Sequence, residues 1–457
     1  MAFRLPLKHL LPRSVRNVLH FFYAWWGGVI YRHPSEKLFV IGVTGTSGKS
    51  STIYFLRQIL ESAGFRVGAL STLEFCVAGE CQLNDRKMTM LGKMEIQRYL
   101  REMVKSGCAV AIIETTSEGY LQHRHRFINY DLMVLTNLYP EHIEAHGSFE
   151  KYKQAKLDIF KHVAELKRKI RKEKIITGNG KWEKGKVALV NGNNEYAKEF
   201  LRYDFDRRFV FGISEQSLSP FSFPISGAFL ADAIQVDKSG LQFSVAEQSF
   251  HPVLSGRHNV CNLTAVIAIA RVLELEWSVI ERAINHLRPA PGRIEFIPEA
   301  EKYGFKVIVD YAFEPVAMAE LYKVVKLFAP SRIIHVFGST GGGRDVARRF
   351  TVGKFVGERA DICIVTNEDP YDDDPIEIIK DVAGAARQAG KRAAETLFII
   401  PDRGEAIKKA LALGKAGDVI LLTGKGSEQA MVVKGRLIPW DDREAARRAL
   451  VERKNRE

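Results

Sequence analysis

An unbroken apolar run, Leu38–Val43, leads into the segment Gly42-Val43-Thr44-Gly45-Thr46-Ser47-Gly48-Lys49-Ser50-Ser51 and then into a helical pattern stopped by Gly64. Few folds accommodate this order. A strand apolar at successive positions is buried on both faces, which calls for a parallel sheet covered by helices. The run is therefore read as a central strand, and residues from about Ser50 to Ala63 as the helix that follows it. Small residues between the two let backbone N–H groups approach phosphate oxygens, and a helix start favours negative charge. Lys49 can reach outer phosphates, and the Ser50 hydroxyl can ligate Mg²⁺. The spacing departs from GxxxxGK[ST], because Val43 stands five residues before Gly48; the loop is the variant GTxGK[ST]. A plain glycine turn is the bland alternative, and the flanking strand and helix weigh against it.

The alternation continues along the chain. Cys108–Glu114 and Asp131–Leu138 are further apolar runs of strand length. Between about 175 and 255 the pattern shortens to runs such as Phe209–Ile213 and Leu241–Val245, with a turn signal at Asp237-Lys238-Ser239-Gly240, and antiparallel ribbons are expected. Helical spacing returns over Asn259–Leu273. Pro289-Ala290-Pro291-Gly292 then breaks the pattern. Beyond it Val307–Asp310, Ile333–Phe337, Ile362–Thr366, Leu397–Ile400 and Val419–Leu422 alternate with helical stretches. The expected fold class is α/β. Residues 37–295 would form a P-loop-type, mostly parallel sheet with an antiparallel ribbon region. Residues 296–457 would form a Rossmann-like α/β domain, and residues 1–36 an aromatic and basic N-terminal segment.

Composition narrows the function classes. The chain has 457 residues, 46% hydrophobic and 26% charged, a globular mixture with room for two or three domains. Five cysteines at 76, 81, 108, 261 and 363 form no CxxC pair, which argues against a disulfide scaffold or a zinc site and suits a reducing cytosol. The net charge of +13 admits nucleic acid, a membrane surface or an anionic substrate. Basic residues are scattered apart from a run near Lys167–Lys174, read as a solvated helix end, so no nucleic-acid partner is expected. Arg13 and Arg16 precede the apolar stretch Phe21–Tyr31, which is too short to span a bilayer. A nucleotide motif follows it at once, with no clear cleavage site. A helix docked on the body, or touching a membrane or partner protein, and a cytoplasmic location are the expectations.

Three further residues could converge on the loop. Glu114 ends the second buried strand, and His142 follows the third. In a doubly wound sheet the carboxyl ends of strands face one crevice. Glu114 offers a hard oxygen ligand for Mg²⁺. His142 is a less usual magnesium ligand. Lys156 lies among Phe149, Tyr152, Phe160 and Val163 at helical spacing, so it sits on or beside an apolar face. A lysine there loses charge stabilisation, and a neutral amine can add CO₂; snorkelling to water is the alternative.

Here the motifs acquire a family. GVTGTSGKS, Glu114-Thr115-Thr116-Ser117, Thr136-Asn137 through Glu141-His142 to His146-Gly147, and Tyr152-Lys153-Gln154-Ala155-Lys156 resemble, in order, the ATP loop and metal-site motifs of the Mur ligase family. Ser255-Gly256-Arg257-His258-Asn259-Val260-Cys261-Asn262, Pro291-Gly292-Arg293-Ile294-Glu295 and Val309-Asp310-Tyr311-Ala312-Phe313-Glu314-Pro315 continue the match, with Phe313 where the family usually carries His. Phe337–Asp345, Thr366–Tyr371 and Gly424–Glu428 extend it to about residue 430, with Tyr371 and Ser427 in place of the usual Arg and His. The pattern is most similar to the UDP-N-acetylmuramoyl-tripeptide synthetases.

The resemblance implies an ATP-dependent ligase that joins a carboxylate to an amine through an acyl phosphate, acting on a UDP-N-acetylmuramoyl peptide or related cell-wall precursor. It implies Lys49, Glu114, His142 and Lys156 as catalytic residues. Thr44, Gly45, Thr46, Ser47, Gly48, Lys49, Ser50, Ser51, Asn262, Arg293 and Asp310 would hold ATP. Ser50, Glu114, His142 and Lys156 would serve two Mg²⁺ ions, with a CO₂-derived carbamate on Lys156. Arg344, Asp345, Asp369, Tyr371 and Glu428 would meet the nucleotide, peptide or amino-acid substrates. His146 would give structural support. Only about forty residues precede the loop, where these synthetases usually carry a UDP-gripping domain. A folate-polyglutamylating ligase, a P-loop NTPase switch and an idle binding module remain the alternatives. The Glu114, His142 and Lys156 cluster weighs against a switch.

Overall fold

The computed structural model describes residues 13–141, 146–169, 185–218, 221, 223–343 and 346–454. Two sheets organise them. The first contains β1 (Phe39–Thr44), β2 (Val67–Leu70), β3 (Glu74–Val77), β4 (Glu80–Leu83), β5 (Val110–Glu114), β6 (Leu132–Leu135), β7 (Val187–Asn191), β8 (Arg207–Ile213), β9 (Gly227–Asp237), β10 (Gly240–Val245) and β11 (Gln248–Phe250). Their spatial order is β11-β10-β9-β8-β7-β6-β1-β5-β2-β3-β4. The strands from β9 to β2 run parallel, and an antiparallel extension closes each edge.

Successive residues of the central strands feed opposite cores. Ile41, Val43, Ile112 and Val134 pack with Ile53, Leu56 and Leu60 of the helix that follows β1 and with Leu263 and Ile267 further along. Val40, Ala111, Ile113 and Met133 pack on the other face with Leu100, Met103, Leu157 and Phe160. Burial on both faces explains the continuous apolar run read at β1. The helices concerned are α1 (Arg13–Ile30), α2 (Lys49–Ser62), α3 (Lys93–Lys105), α4 (Phe149–Glu165) and α5 (His258–Val272).

The second sheet is smaller. It contains β12 (Glu295–Phe296), β13 (Lys306–Asp310), β14 (Ile333–Phe337), β15 (Ile362–Val365), β16 (Leu397–Ile399) and β17 (Val419–Thr423), in the order β12-β13-β17-β14-β15-β16. All pairs but β12–β13 are parallel. A separate hairpin, β18 (Ala430–Val433) with β19 (Arg436–Pro439), follows.

Three expectations need correction. β8, read as part of an antiparallel ribbon, pairs in parallel with β7 and β9; only β9, β10 and β11 form the ribbon. Period-2 patterning reports burial and does not carry strand direction. Cys76 and Cys81 form a disulfide, because the register of β3 on β4 sets them directly opposite each other. Cys108, Cys261 and Cys363 are free. Lys169, inside the basic run, is buried, and its Nζ lies 2.6 Å from Asp131 Oδ2. A buried charge needs such a partner.

α1 packs against α3, with Ala24 buried and Gly27 close to the Met94 sulfur. Its outer face exposes Phe22, Tyr23, Trp26, Val29 and Ile30. No helix among the described residues is long and apolar enough to cross a membrane.

Candidate active site

β1 lies between β5 and β6, with Val43 opposite Glu114 and Thr44 opposite Leu135. The carboxyl ends of three strands are thus level, and the strand order reverses at β1, where α/β sheets bind ligands. The loop after β1 enters this crevice. Gly45 has φ +152°, and a Cβ there would lie 1.9 Å from Thr136 Oγ1. Gly48 has φ +77°, and a Cβ there would meet Asn262 Oδ1 at 2.5 Å. Both glycines are required by close approach as well as by backbone angle.

The loop is tied down from β6. Thr46 N and Ser47 N donate to Asn137 Oδ1 at 3.1 and 2.9 Å, and Thr136 Oγ1 donates to Ser47 O at 2.7 Å. An amide oxygen therefore faces the N–H groups that a phosphate oxygen would use. Lys49 Nζ folds back onto Gly45 O (3.0 Å) and Thr46 O (2.9 Å). Ser51 lies one residue further into α2, facing the cavity described below.

Ser50 Oγ donates to Glu114 Oε2 at 3.0 Å, joining the helix start to the end of β5. Thr72 adds its N–H (2.8 Å) and hydroxyl (3.0 Å) to the same oxygen. Glu114 is 1% exposed, a carboxylate desolvated except for these donors. Lys156, on α4, is also 1% exposed. Its Nζ donates to Gly45 O (2.9 Å) and reaches Thr44 Oγ1 (3.5 Å), 4.7 Å from the centre of the Tyr152 ring. Lys49 and Lys156 therefore share one carbonyl. Burial, and then the Lys49 charge, hold the Lys156 ammonium well below the ordinary lysine range, against the pull of Glu141 and Glu114. The snorkelling alternative does not hold.

Glu141 also belongs to this crevice. Burial, and then the Glu314 carboxylate from the second sheet's side, push its pKa up to about 7. His142, the next residue, lies outside the described residues. His146 Nε2 is 3.1 Å from Ser117 Oγ, and its ring stands 5.2 Å from that of Tyr152, a packing role.

The second sheet contributes groups from its own carboxyl ends. Asp310, ending β13, accepts from Ile294 N and Ala312 N, each at 2.7 Å, and so fixes the turn beside Arg293. The Arg293 guanidinium lies 4.3 Å from the Tyr311 ring centre. A cavity of about 270 Å³ between the two sheets is lined by Ser51, Phe55, Asn259, Arg293, Ile294 and Phe328. Asn262 stands against the phosphate loop and bonds Asn259 Oδ1 at 3.1 Å.

Asp369, after β15, and Glu428, after β17, meet in a second cluster. Lys425 Nζ lies 3.0 Å from both Asp369 oxygens and 2.7 Å from Glu428 Oε2. Lys87, from the loop between β4 and α3, completes it with ion pairs to Asp369 and to Glu428, the latter at 2.7 Å. The Tyr371 ring packs against Gly342, where a Cβ would lie 2.8 Å from it. Arg344 and Asp345 lie outside the described residues.

Thr72, Asn137, Glu141, Lys87 and Lys425 carry no role in the sequence reading. Asn137 stands near the carboxyl end of the predicted run Asp131–Leu138, so the strand-end rule that selects Glu114 reaches it too. Lys87 has no local signal, because its partners are 282 and 341 residues away.

This arrangement defines a nucleotide-binding α/β protein with an acid-and-lysine site at a sheet switch point. Family comparison makes it more specific. The family described as Mur ligase middle domain matches residues 43–270, and that described as Mur ligase, glutamate ligase domain matches 292–426. UDP-N-acetylmuramyl-tripeptide synthetase of Roseiflexus sp. (strain RS-1) is 32% identical over 98% of this chain and 85% of its own. UDP-N-acetylmuramoyl-L-alanyl-D-glutamate–2,6-diaminopimelate ligase of Clostridium tetani is 28% identical over 92% of this chain and 79% of its own. Among solved structures, MurF ligase of Thermotoga maritima in complex with ADP superposes with a TM-score of 0.62 at 18% identity, covering 94% of this chain and 85% of that one. Folylpolyglutamate synthase of Mycobacterium tuberculosis gives 0.66 at 14%, covering 94% and 95%. The chain belongs to the Mur ligase family. It is an ATP-dependent, amide-forming ligase.

Proposed function

We propose that this ligase adds an amino acid to a UDP-N-acetylmuramoyl peptide in the cytoplasm, through an acyl phosphate. The observation that carries the reading is the junction of Ser50 with Glu114 beside Lys49 and Lys156, all at the switch point. Lys49 would swing from the loop carbonyls to the outer phosphates of ATP, where positioning and charge stabilisation supply most of the rate. The Gly45–Ser51 backbone would cradle the phosphates. Asn262 and Arg293 would border them, and Asp310 would hold the ribose side of the interdomain cavity.

Ser50, Glu114, His142 and Lys156 would hold two Mg²⁺ ions. The fit rests on Glu114, whose buried carboxylate and hard oxygens match that cation. When bound, the metal neutralises charge on the transferring phosphoryl group. Lys156 is suited to carbamate formation because its amine is buried and poised to be neutral. Once formed, the carbamate would place an acid where the sequence has a base. Asp369 and Glu428 would border the incoming amino acid. Closure of the two halves would exclude water from the acyl phosphate.

The test is direct. Protein with ATP, Mg²⁺, a UDP-N-acetylmuramoyl dipeptide and an amino-acid pool should yield a mass gain of one residue and equimolar ADP. Product with a folate instead would favour the folate ligase, and ADP without ligation would favour the switch. Lys49→Ala should abolish turnover; near-normal rates would refute the loop assignment.

The exposed aromatic face of α1 supports a peripheral membrane contact. Six Arg and Lys against one Glu occupy residues 1–37, which complements an anionic surface. Sedimentation with anionic vesicles should carry the protein down, and Trp26→Ser should weaken it. Equal binding by the variant would remove this role.

A further inference from the structure

We propose that Lys87 sets the amino-acid specificity of this ligase by closing the Asp369–Glu428 pair to a side-chain ammonium. The amino acid added then carries no positive charge beyond its α-amino group. The inference rests on the reading that these two carboxylates border the incoming amino acid.

Every oxygen of the pair is engaged. Asp369 Oδ1 accepts from Lys425 Nζ (3.0 Å) and Val432 N (2.7 Å), and Oδ2 from Lys87 and Lys425. Glu428 Oε1 accepts from Tyr311 OH (3.3 Å), and Oε2 from Lys87 and Lys425, each at 2.7 Å. Two ammonium groups match two carboxylates, so the cluster is neutral. A third ammonium, as in lysine, ornithine or diaminopimelate, meets two cations already in place and finds spare acceptor capacity only at Glu428 Oε1, singly bonded at 3.3 Å, unless Lys87 leaves. Glu368, alongside, cannot fully substitute, since burial pushes its pKa up to about 7.

Lys87 is also held against leaving. Its side chain is 8% exposed. The loop that carries it is pinned by Asn84, whose Nδ2 donates to Ser71 O (2.9 Å) and Met88 O (3.1 Å), and whose Oδ1 accepts from Arg86 N. Two residues on, Thr89 Oγ1 lies 3.0 Å from Thr72 Oγ1, the hydroxyl that bonds Glu114. The specificity loop is thus anchored to the phosphoryl-transfer site. The Arg that the family pattern places at Tyr371 is absent, which leaves Lys87 and Lys425 as the described cations of this cluster.

The experiment measures kcat/KM for uncharged, acidic and diamino acids, with ATP, Mg²⁺ and a UDP-N-acetylmuramoyl dipeptide as acceptor. Wild type should favour an uncharged or acidic amino acid over L-lysine, L-ornithine and diaminopimelate by about 10-fold or more, the scale at which a site rejects a group it cannot pair. Lys87→Met should shift that ratio toward the diamino acids by at least about 10-fold, and Lys87→Arg should restore it. A ratio is read because mere destabilisation lowers all substrates together. Wild type preferring a diamino acid would overturn the proposal, even if Lys87→Met fails to fold. An unchanged ratio in Lys87→Met would overturn it as well. Absence of product from wild type with every amino acid would instead defeat the ligase reading beneath it.

Discussion

Lys156 is buried and the side chain of Lys87 is only 8% exposed, yet their surroundings are opposite. Lys156 faces a carbonyl, a hydroxyl and an aromatic ring, and forms no ion pair among the described residues. Lys87 sits between two carboxylates. Burial lowers the first amine well below its usual range. In the second, burial also pulls downward, but Glu428 and Asp369 outweigh it and hold the ammonium above the usual value. Burial alone therefore does not decide what a lysine does. Partner charge selects between a reactive amine and a fixed cation.

The comparison breaks first at Lys156. Lys156→Ala should lose about 10³-fold or more in ligation rate, the scale of removing a preorganised transition-state group. A short-chain carboxylate should restore part of the rate. Full activity, measured as product mass, would remove this lysine from the chemistry.

Stability should then separate the two clusters. Lys425→Met strands Asp369 and Glu428 against Lys87 alone and should cost about 3 kcal/mol, the lower end for breaking a buried pair. Lys156→Met strands no described carboxylate partner and should leave the denaturation midpoint nearly unchanged or raised. Equal losses in urea unfolding would show that the two environments do not differ.

The pH dependence carries opposite signs. Where Lys156 is neutral when folded but protonated when unfolded, the unfolded chain binds the extra proton, so stability rises with pH up to about 10.4. Lys156→Met should remove that slope. For Lys87 the folded state holds its proton longer, so its contribution is lost as pH climbs past about 10.5. A third group, Glu141, acts at lower pH. Folded Glu141 keeps its proton to about pH 7, so stability should fall between about pH 4.5 and 7 and flatten above. Unfolding of Glu141→Gln over that range should show a flatter profile.

Much of the phosphate-loop region was legible because its signal is local. Strand, small residues, Lys49 and helix are contiguous, and Glu114 ends a strand whose burial shows in its apolarity. Lys156 needed the family motif, since helical spacing alone fits a snorkelling lysine equally well. The second cluster was legible only in part. Asp369 and Glu428 stand in recognisable motifs, but their cations do not. Tyr371 stands where the family pattern carries an Arg, and its ring packs against Gly342. The Cys76–Cys81 bond was hidden as well, because it depends on a two-strand register that sparse cysteines do not announce.

The linear order of residues determined two alternating α/β units, a nucleotide loop and the carboxylates at strand ends, because hydrophobic period and glycine placement act over a few neighbours. Tertiary structure decided which charges meet. Ion pairing falls off within a few ångströms, and only the packing of the two sheets brings Lys87 to Asp369 while leaving Lys156 without a described carboxylate partner.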